Sequence, residues 1–136
     1  MKRYNKVFFL VQFFFYLVIG LSPFLNKLQA QIAIGKPTFP FTQICANPSF
    51  NTFDVNFSFT PTSGITASNQ FIVEMSDGNG SFATPTVVVY TSVAGAITTS
   101  PAKITFSVPV TTSGEAYRLR IRSTSPAATS QLSNPF

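Results

Sequence analysis

The 136-residue chain has no histidine and no tryptophan, a single cysteine and only four acidic residues. Without histidine there can be no Ser-His-Asp or Cys-His arrangement for nucleophilic catalysis, and no imidazole ligand for a metal. One cysteine, Cys45, excludes a disulfide within the chain. It reads first as a half-buried small apolar residue, and second as a thiol that pairs with another chain. The lack of tryptophan removes the broadest platform for stacking a sugar ring. Amphipathic helical spacing is missing too: no window carries apolar residues at i, i+3, i+4 and i+7. An α-helical core is therefore not expected.

The formal net charge of +5 suggests a basic protein, but Lys2, Arg3, Lys6 and Lys27 all fall within the first 30 residues. Downstream, Lys36, Lys103, Arg118, Arg120 and Arg122 stand against Asp54, Glu74, Asp77 and Glu115, five basic residues to four acidic, a net charge of +1. A near-neutral domain has no electrostatic footprint for nucleic acid. The N-terminal cluster has its own meaning. Lys2, Arg3 and Lys6 precede an apolar run over residues 7–21, broken only by Gln12, and Leu28-Gln29-Ala30 then ends on a small residue. Charge, apolar run and small residue in that order are the marks of a cleaved secretory signal, which predicts a signal peptide over residues 1–30 and a mature chain from Gln31. The apolar run is shorter than the roughly 20 residues a transmembrane helix needs. A lipid anchor is not expected, since no cysteine sits at the cleavage point. The membrane is thus met only through the signal peptide, and the protein is expected to be secreted or held at the cell surface.

The mature segment, residues 31–136, is rich in Thr, Ser, Val, Phe and Pro, and its apolar residues recur with period two. Phe53, Val55, Phe57 and Phe59 alternate with Asp54, Asn56 and Ser58; Phe71, Val73 and Met75 with Ile72, Glu74 and Ser76; Ile104, Phe106, Val108 and Val110 with Thr105, Ser107 and Pro109; and Tyr117, Leu119 and Ile121 with Arg118, Arg120 and Arg122. Such alternation builds strands with one face for the core and one for water. Residues 87–91 form a short continuous β-branched run. Turn residues separate the runs: Thr60-Pro61-Thr62-Ser63-Gly64, Asp77-Gly78-Asn79-Gly80, Ala94-Gly95, Ser100-Pro101 and Thr112-Ser113-Gly114. The spacing predicts an all-β sandwich with strands over residues 32–39, 52–59, 70–76, 87–91, 102–110 and 116–123. The expected core is Phe53, Val55, Phe57, Phe71, Val73, Ile104, Phe106, Tyr117, Leu119 and Ile121. Residues 127–136 read as a loop.

Few constellations can carry chemistry. Asp77-Gly78-Asn79-Gly80-Ser81 has alternating oxygen side chains, like the start of a calcium loop. Phe82 occupies the sixth position, where glycine is required, and Val88 the twelfth, where a bidentate glutamate should stand. The segment therefore reads as a hairpin turn, with Gly and Asn at positive φ. Asp54 and Glu74 are the one carboxylate pair to weigh for glycoside cleavage. Both take outward positions on strands of opposite sheets, so they are expected to point apart. No catalytic, cofactor-binding or metal-ligating residue is assigned, and no cofactor is expected. The only concentrated charge is Arg118, Arg120 and Arg122, which share the solvent face of one strand. It reads as a charge-guarded strand, with Glu74 across from Arg120, or as a cationic interaction stripe for an acidic polysaccharide or a partner protein.

The segment Gly114-Glu115-Ala116-Tyr117-Arg118-Leu119-Arg120-Ile121-Arg122-Ser123-Thr124-Ser125-Pro126 resembles the F strand of fibronectin type III and other immunoglobulin-like domains. The resemblance implies an immunoglobulin-like sandwich in which Tyr117 is the tyrosine-corner residue, its hydroxyl returning to the upstream backbone. More narrowly, Val108-Pro109, Gly114, Tyr117-Arg118-Leu119-Arg120 and Ser123-Thr124-Ser125-Pro126 are similar to modules repeated in large surface proteins of gliding, type IX-secreting Bacteroidetes. A mature Gln31 after Ala30 resembles secreted proteins of the same bacteria. Against that pattern, residues 127–136 lack a recognisable last strand and no C-terminal sorting domain follows. The chain is accordingly expected to be the N-terminal piece of a longer protein.

These readings favour a non-catalytic extracellular module for structure or adhesion, partnered by other protein modules or surface polysaccharide. The alternative is a carbohydrate-binding module of a secreted hydrolase, with Phe82 and Tyr90 as the aromatic residues nearest a loop. An enzyme in its own right fits the residue inventory least.

Overall fold

In the computed structural model, residues 31–82 and 86–136 are described, and the expected signal segment lies outside them. The period-two runs become strands: β1 (Ala33–Ile34), β2 (Thr52–Phe57), β3 (Phe59–Thr60), β4 (Phe71–Met75), β5 (Val87–Thr91), β6 (Ala102–Ser107), β7 (Leu119–Thr124) and β8 (Ala127–Thr129). They form an all-β sandwich, and every strand pairing is antiparallel. One layer joins β2 to β6 and β1 to β3. The expected strand over 52–59 breaks at Ser58, where the chain passes from pairing with β6 to pairing with β1. A bridge between Thr38 and Asn56 holds the two parts together. The other layer runs β5-β4-β7-β8.

Inward positions of both layers meet in one core. Val55, Val73, Leu119 and Ile121 are fully enclosed. Phe57, Phe59 and Phe71 make a ring cluster, tilted to one another with centroids 4.9–6.1 Å apart, the spacing of packed aromatic pairs. Phe53 and Tyr117, both expected inside, are only half-buried at one end of this core. There Phe39, Phe41, Phe53 and Phe136 pack edge to face. The strand expected to run to residue 110 stops at Ser107. Val108 still bonds to the Asn51 carbonyl, and Pro109, which has no N–H, ends the ladder.

Residues 127–136 are not a loop. β8 pairs with β7 in the register Arg122↔Thr129, Ser123↔Ala128 and Thr124↔Ala127, so the sandwich has its last strand. Beyond Thr129 the pairing continues in an unusual form. The N–H groups of Ser130, Ser133 and Phe136 donate to the carbonyls of Ile121, Leu119 and Tyr117 at 2.8, 2.8 and 3.0 Å. The segment thus advances three residues for every two on β7. The Oγ atoms of Ser130 and Ser133 accept the Ile121 and Leu119 N–H groups at 2.9 and 2.8 Å, where a neighbouring strand would offer a carbonyl. A strand built this way has no period-two signature. Ser76 and Ser92 use the same device against Arg118 and Phe71. Each of these four serines is buried.

Candidate interaction site

Arg118, Arg120 and Arg122 alternate along β7 and its N-terminal approach, on the side away from the core residues Leu119 and Ile121. Glu74 stands directly across from Arg120, as the strand pattern predicts. The geometry goes further than that pattern. Arg120 Nε donates to Glu74 Oε2 at 2.6 Å, and Arg122 Nε donates to Oε1 at 3.0 Å. One carboxylate therefore holds two guanidinium groups. Arg120 also lies over the Phe82 ring, 4.4 Å from its centroid, a cation–π contact. Although Glu74 faces away from the core, it is only 4% exposed. A carboxylate so enclosed stays favourable only when its oxygens are paired, and both are. Arg118 turns to the backbone and donates to the Ser133 carbonyl at 2.9 Å. The stripe is thus partly neutralised and its members are tied to the frame. Arg122, with a 45% exposed side chain, presents the most of its charge to solvent.

The remaining carboxylates are divided among separate places. Asp54 lies on β2 in the other layer, apart from Glu74. It accepts bonds from the Thr105 hydroxyl and from Lys103 Nζ, the latter at 3.0 Å. The hydroxyl first and then the lysine hold its carboxyl below the ordinary value of 3.8. Asp77 is engaged by its own turn: Oδ1 accepts the N–H groups of Asn79 and Ser81 at 3.0 and 2.8 Å. Gly80 carries the turn's positive φ of 81°, whereas Asn79, also expected there, does not. Among the described residues no group of three His, Cys, Asp or Glu side chains gathers as a metal site would require.

Arg120 covers one face of Phe82, and Tyr90 packs partly buried against the core. Cys45 is exposed and free, not half-buried as a small apolar residue would be. The Tyr117 hydroxyl donates to the Ser113 carbonyl at 3.1 Å, fixing the loop before β7. That loop and the segment over residues 42–46 face each other across a cavity of about 720 Å³. Sequence reasoning misses this cavity because irregular segments make its walls, and their approach follows from the docking of Phe136 and Tyr117 rather than from any local motif. No family model matches the chain, and the searches of curated proteins and of solved structures return no match either.

Proposed function

We propose that this protein is a non-catalytic extracellular module, serving structure or adhesion in a secreted or cell-surface protein. The observation that carries the reading is the use made of its polar groups. Buried Ser76, Ser92, Ser130 and Ser133 complete strand ladders. Glu74 is held between two arginines, and Asp77 is spent on a turn. A site for chemistry gathers several titratable groups toward a cleft; here Glu74, Asp54 and Asp77 brace the frame, and Glu115 is the one acidic group lining the cavity beside Tyr117. Export is supported by the order of charge, apolar run and small residue over residues 1–30. The immunoglobulin-like reading, with its likeness to surface modules of Bacteroidetes exported by type IX secretion and linked to gliding, draws support from the four-stranded layer ending in β8 and from the Tyr117 hydroxyl bond. The test is fractionation of bacteria producing the protein, with N-terminal sequencing of the exported form. The reading predicts surface or medium localisation and a first residue of Gln31. Full-length protein retained in the cytosol would contradict it. The second reading, a carbohydrate-binding module of a secreted hydrolase, is favoured by the cavity beside Tyr117.

A further inference from the structure

We infer that the cavity between residues 42–46 and the loop before β7 is a binding site for a neutral saccharide. Its volume of about 720 Å³ falls within the 300–1,000 Å³ typical of small-ligand sites. Half-buried Tyr117 and Ile44 line it beside buried Phe136, whose ring stacks with that of Tyr117 at 6.3 Å, apolar groups of the kind that suit the C–H surface of a pyranose ring. Its walls carry Gln43, Thr112 and Ser113, whose amide and hydroxyl groups both donate and accept, as sugar hydroxyls require. Glu115 adds a carboxylate that has no ion-pair partner among the described residues, and the lining contains no Lys or Arg. An anionic ligand would meet uncompensated negative charge there, so phosphates, sulfated glycans and uronic acids fit poorly. A neutral polyol fits, with Glu115 accepting two of its hydroxyls. The site also lies apart from the arginines of β7 that brace Glu74. The inference gives the adhesion reading a ligand class, and it rests on that reading only for where such a glycan would be met.

The test titrates the purified protein with five neutral tetrasaccharides, built from glucose, mannose, galactose, xylose or N-acetylglucosamine. Amide chemical shifts and the rate at which Cys45, on the cavity wall, reacts with a thiol reagent are followed. At least one tetrasaccharide should produce saturable shifts at Gln43 and residues 112–115 and should slow the Cys45 reaction. Glu115→Gln and Gln43→Ala alter exposed side chains, so folding should survive them. Each should weaken that binding about tenfold, the worth of one hydrogen bond involving a charged or well-placed group. No saturable shift with any of the five, or binding that both variants leave unchanged, would overturn the site. Binding to a polyuronate in their place would also overturn it. None of these results bears on whether the protein is exported, so fractionation tests the extracellular reading separately.

Discussion

The β2–β6 pair and the β7–β8 edge are both antiparallel ladders, built by different means. Along β2 and β6, apolar residues face each other two by two, Phe53 with Phe106 and Val55 with Ile104. Stability there comes from burial. Along the C-terminal edge, Ser130 and Ser133 enter the ladder with their hydroxyls, and only Phe136 brings a large apolar group to the core. Stability there comes from satisfying buried N–H groups that would otherwise have no partner. The comparison shows that one sandwich can close one layer with hydrophobic alternation and complete the other with serine.

The largest expected effect lies on the apolar side. Phe57 is 3% exposed and packs against Phe59 and Phe71. Phe57→Ala should cost about 3–5 kcal/mol, read as a lower urea midpoint at unchanged slope. A melting curve unaffected by this change would show that the inward face is misassigned. Arg120→Ala should come next, at about 1.5–3 kcal/mol, because it strips one charged hydrogen bond from buried Glu74 and uncovers Phe82. Arg122→Ala should cost less, since that side chain is more exposed and Arg120 remains. The reverse order in chemical denaturation would refute the geometry around Glu74.

The serine edge should respond in the range of about 1–3 kcal/mol. Ser133→Ala leaves the buried Leu119 N–H without an acceptor. Ser107→Ala, at an exposed position of β6, should stay within about 0.5 kcal/mol. Equal effects at the two positions would erase the distinction between the ladders. The smallest effect concerns pH. The Asp54 carboxyl is held below 3.8, so its contribution is present above that value and is lost as pH falls through the lowered one. Asp54→Asn should therefore differ from the parent at pH 7 and converge with it as the pH falls below that lowered value. A gap that widened on acidification would contradict the assignment.

The same contrast explains what the sequence reveals. Residues 87–91 and the alternating runs are legible because side chains on a regular strand repeat every second residue. The Glu74–Arg120 pair is legible because each takes the outward parity of strands that neighbour each other. Arg122 joining the same carboxylate is not, since a diagonal reach depends on the twist of the sheet and on side-chain length. The C-terminal edge is hidden because β8 has only three residues and, beyond it, the hydroxyls of Ser130 and Ser133 replace backbone carbonyls and stretch the repeat to three. The exposure of Cys45 and the cavity beside it depend on how two irregular segments dock, which no local period encodes.

The central claim is that buried serine hydroxyls complete the β-ladders of this sandwich, and it is tested most directly by amide hydrogen exchange. The N–H groups of Phe71, Arg118, Leu119 and Ile121 all donate to serine Oγ atoms. The account predicts that the buried three, Phe71, Leu119 and Ile121, exchange as slowly as Val55 and Ile104 in the β2–β6 pair, and that Ser133→Ala accelerates Leu119 selectively. Exchange of Leu119 and Ile121 at the rate of an open loop in the parent protein would contradict it.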